Sequence, residues 1–263
     1  MGKVTRGHEE TELQVAGGSL RWRVAGRGSF DYPYPCPYPY AMFRLLLAVI
    51  ALLCFIPTAS AQAQPQKILF VGNSITSHGP KADIDWHGNW GMAATSLDKD
   101  YVHVVTKALA TKQGATPVIM VKNVADFERA HVGYDIVGKY ADAAAFKADL
   151  VILCIGENVA ALKTPEAKAK YQEQVTALLK TLQSNPKAQI IVRSSFWANP
   201  AKDSAMRQAC EAVGGTFVDI GALSKDEQNY ARSERPYKHA GVANHPGDRG
   251  MAAIAEEIVR VVK

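Results

Sequence analysis

Ser74, Asn158 and His245 are the side chains with chemistry to offer. They stand in Gly72-Asn73-Ser74-Ile75-Thr76, Gly156-Glu157-Asn158 and Asn244-His245-Pro246-Gly247-Asp248, the first two directly after apolar runs. A serine hydroxyl is a weak nucleophile until a base takes its proton, and a neutral imidazole is the usual base near pH 7. The tetrahedral intermediate that follows needs donors aimed at its oxygen, which the Asn158 amide and backbone N–H groups around Ser74 can supply. Singly, each residue has a plainer reading, a turn residue or a loop residue. Together they suffice for acyl transfer if the fold brings Ser74 to His245.

The elements that must do this are legible as apolar runs. Lys67–Val71, Val118–Val121, Leu150–Ile155, Ile190–Val192 and Thr216–Ile220 predict five buried strands. Helical segments lie between them. One begins at Thr164-Pro165-Glu166, a cap, a first-turn proline and an acid near the positive end of the dipole. It carries Tyr171, Val175, Leu178, Leu179 and Leu182 on one stripe. The last carries Met251, Ile254, Ala255 and Ile258 at the same spacing. Strands alternating with helices predict an α/β fold, a three-layer α/β/α sandwich on a five-stranded parallel sheet, with the ligand site at the carboxyl ends of the strands.

The front of the chain reads differently. Residues 31–40 alternate Pro with Tyr or Cys, and residues 1–41 are expected to be unstructured, an upstream extension before a start at Met42. Met42-Phe43-Arg44, the twelve apolar residues Leu45 to Ile56, Pro57 and Ala59-Ser60-Ala61 form the pattern of a secretory signal peptide over 42–61. Twelve helical residues rise about 18 Å against a hydrocarbon core of about 30 Å, which disfavours a permanent span. Bulky Leu53 before Cys54 disfavours a lipid anchor. Residues 62–263 are therefore expected to be one domain, periplasmic or secreted.

With 48% hydrophobic and 21% charged residues, the chain is globular in composition rather than disordered. Residues 1–61 hold six Lys/Arg and four Asp/Glu, leaving a net +3 on the domain, and no basic cluster argues for nucleic acid. Cys154 lies in an apolar run and Cys210 in a helical stretch, so two separately packed thiols are favoured over a disulfide. His78, Asp83, Asp85 and His87 match no metal-ligand spacing, and neither a Gly-x4-Gly-Lys-Ser/Thr loop nor Gly-x-Gly-x-x-Gly is present. No metal or organic cofactor is expected.

Phe70-Val71-Gly72-Asn73-Ser74, Gly156-Glu157-Asn158 and His245-Pro246 resemble, in order and placement, the blocks of the SGNH hydrolases, the GDSL-type esterase and lipase superfamily, over nearly all of residues 67–263. The resemblance implies a flavodoxin-like sandwich, Ser74 as nucleophile, Asn158 as oxyanion-hole carboxamide and His245 as base. Three departures stand out. Asn73 replaces the usual Asp. Asn123-Val124-Ala125-Asp126-Phe127-Glu128 takes the place of Asn-x-Gly-x-Ser-Gly, so the Glu128 backbone N–H is expected where the family has an oxyanion Gly. Val242 stands where an Asp often precedes the His by three residues, which leaves a backbone carbonyl, Asp219 or Asp226 to orient His245, with Asp248 a weaker candidate.

Trp86 and Trp90 lie in the loop after Ser74. They are either a sugar-binding wall or a clamp holding the loop to the body. Phe196-Trp197 follows the fourth strand and can border the same pocket. The expected activity is an exported serine esterase removing short acyl groups, acetyl above all, from a carbohydrate or other small ester. The rival readings are a non-catalytic glycan-binding protein on the same fold and an acyltransferase using the same residues.

Overall fold

The computed structural model describes residues 11–16, 19–24 and 65–263, in two units, Met1–Ala61 and Gln62–Lys263. In the first, β1 (Thr11–Ala16) and β2 (Ser19–Val24) pair antiparallel, with Leu13 opposite Trp22 and Val15 opposite Leu20. This corrects the expectation that residues 1–41 are unstructured throughout. Both segments alternate apolar with polar residues around Gly17-Gly18, a hairpin signal that the neighbouring Tyr-Pro tract masks. That tract and the segment over 42–61 where a leader is expected lie outside the described residues.

In the second unit, β3 (Lys67–Gly72), β4 (Val118–Asn123), β5 (Leu150–Cys154), β6 (Gln189–Arg193) and β7 (Thr216–Val218) form an all-parallel sheet in the order β4-β3-β5-β6-β7. That is the flavodoxin-like order. On the central strands Leu69, Val71, Val151 and Leu153 face one layer and Ile68, Phe70, Leu150 and Ile152 the other. Both faces are covered, so the runs read as continuously apolar. Both edge strands, β4 and β7, are only half-buried, with Val118 60% exposed, which corrects the expectation of five buried strands.

The second layer holds α1 (Tyr101–Gln113), packed with the C-terminal helix over Ile68 and Phe70. The first layer holds α2 (Ala125–Ala130), α3 (Ile136–Lys139), α4 (Ala141–Ala145), α5 (Pro165–Leu182) and α6 (Pro200–Ala212). The short α7 (Ala240–Ala243) precedes His245, and α8 (Asp248–Val261) returns to the α1 side. Helix α5 starts as its sequence requires, the Thr164 side chain accepting from the Ala167 N–H at 3.2 Å. Cys154 and Cys210 are free thiols buried on opposite faces of the sheet, which keeps them apart. Among the described residues no helix is long and apolar enough to cross a membrane.

Because β4 lies on one side of β3 and β5 on the other, the chain changes direction across the sheet between them. The loops after β3 and β5 therefore open a crevice at their carboxyl ends, the usual ligand position in such sheets.

Candidate active site

Strand β3 ends at Gly72, where a Cβ would overlap the Thr76 side chain and come within 2.6 Å of the Cys154 carbonyl. The chain then turns sharply. Asn73 O accepts from Thr76 N at 2.9 Å and Ser77 N at 3.0 Å, and Asn73 Oδ1 accepts from Ile75 N at 3.1 Å. Ser74 is carried on this turn, part-exposed, directly beyond the strand.

His245 arrives from the far end of the chain. Its Nε2 lies 2.8 Å from Ser74 Oγ, and its Nδ1 lies 2.7 Å from the Gly241 carbonyl. A carbonyl can only accept, so Nδ1 bears the proton and Nε2 presents its lone pair to the serine hydroxyl. Burial holds the imidazole below its ordinary pKa, outweighing the Gly241 bond, so the neutral form is favoured. The ring also makes a T-shaped contact with Trp197, with centroids 5.7 Å apart and planes at 90°.

Of the alternatives left open by sequence, the backbone carbonyl is the group found on Nδ1. Asp219 accepts from Gly221 N at 3.0 Å and faces Arg207, Asp226 pairs with Arg249 at 2.9 Å, and Asp248 accepts from Thr95 N at 2.8 Å and Thr95 Oγ1 at 2.6 Å. Val242 is 2% exposed, packed with Trp86, Met92, Ala93 and Ala231.

The third component sits after β5. Gly156 has φ +118, and a Cβ there would overlap Ser195 Oγ, so only glycine fits the turn into Glu157-Asn158. Asn158 Nδ2 donates to Glu128 Oε2 at 2.7 Å, and its Oδ1 accepts from Arg129 Nη2 at 3.3 Å. Glu128 Oε1 accepts from Gly156 N at 2.6 Å, Asn158 N at 3.2 Å and Asn73 Nδ2 at 3.2 Å. The expectation that the Glu128 backbone N–H serves an oxyanion is corrected here. That N–H donates to Val124 O at 3.2 Å inside its own helix, and the carboxylate is what reaches the site.

Beneath this lies a second carboxylate. Asn73 Nδ2 also donates to Glu157 Oε2 at 2.6 Å, while Glu157 Oε1 accepts from Arg193 Nη1 at 2.6 Å and Phe196 N at 2.7 Å. Burial pushes Glu128 up, and the nearby Glu157 charge adds to this. Burial acts on Glu157 too, but Arg193 and the donated hydrogen bonds outweigh it and hold that carboxyl below the ordinary range. Arg193 is fully buried, and its Nε and Nη2 find no acceptor among the described residues.

Trp86 and Trp90 both tie their loop to the body, Trp86 buried and Trp90 half-buried. Trp86 is 5% exposed and its Nε1 donates to His78 O at 3.0 Å; Trp90 Nε1 donates to Ala94 O at 3.0 Å; and the rings meet edge to face at 5.8 Å. The open pocket beside His245, about 500 Å³, is lined instead by Trp197, Tyr230, Arg232, Gly241 and Asn244. Sequence reasoning gave no role to Glu157, Arg193, Arg129 or Gly241. One signal was available: Arg193 ends the run Ile190-Ile191-Val192, and a charge closing a buried strand requires a buried partner.

Solved structures with a similar course include a GDSL-like lipase from Bacteroides uniformis ATCC 8492 (13% identity, TM-score 0.48, 76% of this chain and 96% of that one). Another is a GDSL-like lipase from Parabacteroides merdae ATCC 43184 (17%, 0.44, 74% and 95%). A third is a family two carbohydrate esterase from Cellvibrio japonicus (20%, 0.45, 76% and 61%). No curated protein matches the sequence. The family model for GDSL-like lipases and acylhydrolases matches residues 70–253, from the strand that leads into Ser74 to the helix that follows His245. With every part of the site inside that span, the chain belongs to the GDSL-like Lipase/Acylhydrolase family.

Proposed function

We propose that this protein is a serine esterase that removes short acyl groups, acetyl above all, from a carbohydrate or similar polar alcohol through an acyl-Ser74 intermediate. The observation that carries the reading is the 2.8 Å contact between Ser74 Oγ and a His245 whose other nitrogen is committed to the Gly241 carbonyl. Ser74 Oγ attacks the ester carbonyl as Nε2 takes its proton. The Asn158 amide and the Ser74 N–H meet the developing oxyanion. His245 then gives the proton to the departing alcohol, and a water activated by the same nitrogen releases the acid.

Support for a polar alcohol half comes from the pocket beside His245, where Trp197 stands with the polar groups of Asn244 and Arg232. Export to the periplasm or beyond follows from the leader over 42–61. Catalysis needs no metal in this scheme. A fluorophosphonate probe tests the assignment: it labels the wild type and leaves Ser74→Ala unlabelled. Equal labelling of both proteins removes Ser74 from the mechanism.

A further inference from the structure

A primary amide is nearly symmetrical in shape, and a half-turn about its last bond exchanges oxygen for nitrogen. For an oxyanion donor that exchange is fatal, because it points a carbonyl at developing negative charge. Something must therefore choose the rotamer of Asn158. We propose that Glu128 and Arg129 do so, as a two-sided clamp that fixes the Asn158 carboxamide with one N–H turned to the reacting oxygen. The proposal rests on the reading of Asn158 as an oxyanion donor.

An ionised carboxylate only accepts and a guanidinium only donates. Glu128 Oε2 at 2.7 Å from Nδ2 and Arg129 Nη2 at 3.3 Å from Oδ1 thus specify the amide from both ends. A flip sets oxygen against carboxylate and NH2 against guanidinium, trading two charge-assisted bonds for two repulsions. Glu128 uses one of the two Nδ2 hydrogens and leaves the other for substrate. The carboxylate is itself immobile. Gly156 N, Asn158 N and Asn73 Nδ2 all donate to its second oxygen, and Asn73 is tied through Glu157 to Arg193. Glu128 is fully buried, so it is a positioning residue acting through Asn158.

The test is a double-mutant cycle on nitrophenyl acetate turnover, normalised to folded protein by circular dichroism. Asn158→Ala is expected to lower kcat by about 10²–10³-fold, the usual loss for one oxyanion donor. Glu128→Gln is expected to lower kcat by about tenfold or more with KM within about twofold, since the defect lies in transition-state stabilisation. In the double variant, kcat stays at the Asn158→Ala level, because a clamp has nothing to hold once the amide is gone. Multiplied losses in the double variant, or a Glu128→Gln enzyme with full kcat, overturn the clamp and leave Asn158 in place. Undiminished kcat in Asn158→Ala, or a wild type without turnover, overturns the clamp together with the reading beneath it. If Glu128→Gln fails to fold, Arg129→Met on the exposed side takes its place in the cycle, with the same rule and a smaller expected loss.

Discussion

On one side of Ser74, the Asn158 amide is backed by Glu128 and Arg129 and, behind them, by Asn73, Glu157 and Arg193 at the tips of β3, β5 and β6. On the other, His245 is held by one main-chain carbonyl in a four-residue helix whose Val242 packs against Trp86, Met92, Ala93 and Ala231. Charge is concentrated where a neutral donor must not turn, whereas among the described residues no carboxylate hydrogen-bonds the His245 ring, and an apolar cluster fills the position usual for an acid. The cost of the first arrangement is desolvation; the second keeps the imidazole unstabilised when protonated.

The comparison is broken most severely at Arg193. Arg193→Ala leaves Glu157 buried without its cation, and a loss of about 3–5 kcal/mol is expected in urea denaturation. Replacing both partners, Arg193→Met with Glu157→Gln, is expected to recover most of it, since the orphaned guanidinium nitrogens disappear with the charge. A double variant as unstable as the single one means that the network is held by something other than its charges.

Val242→Asp restores the acid that the family often has before the histidine. It also puts a carboxylate into the cluster with Trp86 and Met92 while Nδ1 already has an acceptor. The expected outcome is a loss of about 1–3 kcal/mol with no gain in kcat. Higher kcat would mean that the carbonyl alone under-supports the base.

The pH profile sharpens the same point without mutation. In the proposed mechanism His245 works as base only when neutral, and burial lowers its pKa, so kcat/KM is expected to rise with pH through that value and stay flat above it. The acid limb is expected to have its midpoint below 6.5, the ordinary imidazole value. A midpoint above it would indicate a carboxylate partner.

Smallest is Ala93→Gly. Ala93 has φ +76 and is fully buried. Relief of the left-handed conformation, about 1–2 kcal/mol, competes with about 0.8 kcal/mol for the lost methyl. A gain under about 1 kcal/mol is therefore expected, seen as a slightly higher Tm; a lower Tm would show that packing wins there.

Strands, main helices and the Ser74–His245 pair are legible because each leaves a residue-type signature: apolar runs, Thr-Pro caps, and a hydroxyl or imidazole at the edge of a run. Gly241 is not, since every residue carries a carbonyl and only the folded turn selects one. At Glu128 the sequence register places the right residue but cannot tell whether backbone or side chain faces the site. Trp86 and Trp90 illustrate the same limit, because composition does not distinguish a ring facing solvent from one facing inward.

The acceptor on His245 Nδ1 belongs to the polypeptide itself. No codon change can delete it as a codon change deletes an aspartate. Inheritable damage to the base's orientation must come through displacement of the turn at 239–245, by an insertion, a deletion or an ill-placed proline. The acceptor, unlike the ring it holds, is accordingly indifferent to side-chain identity and sensitive to backbone placement.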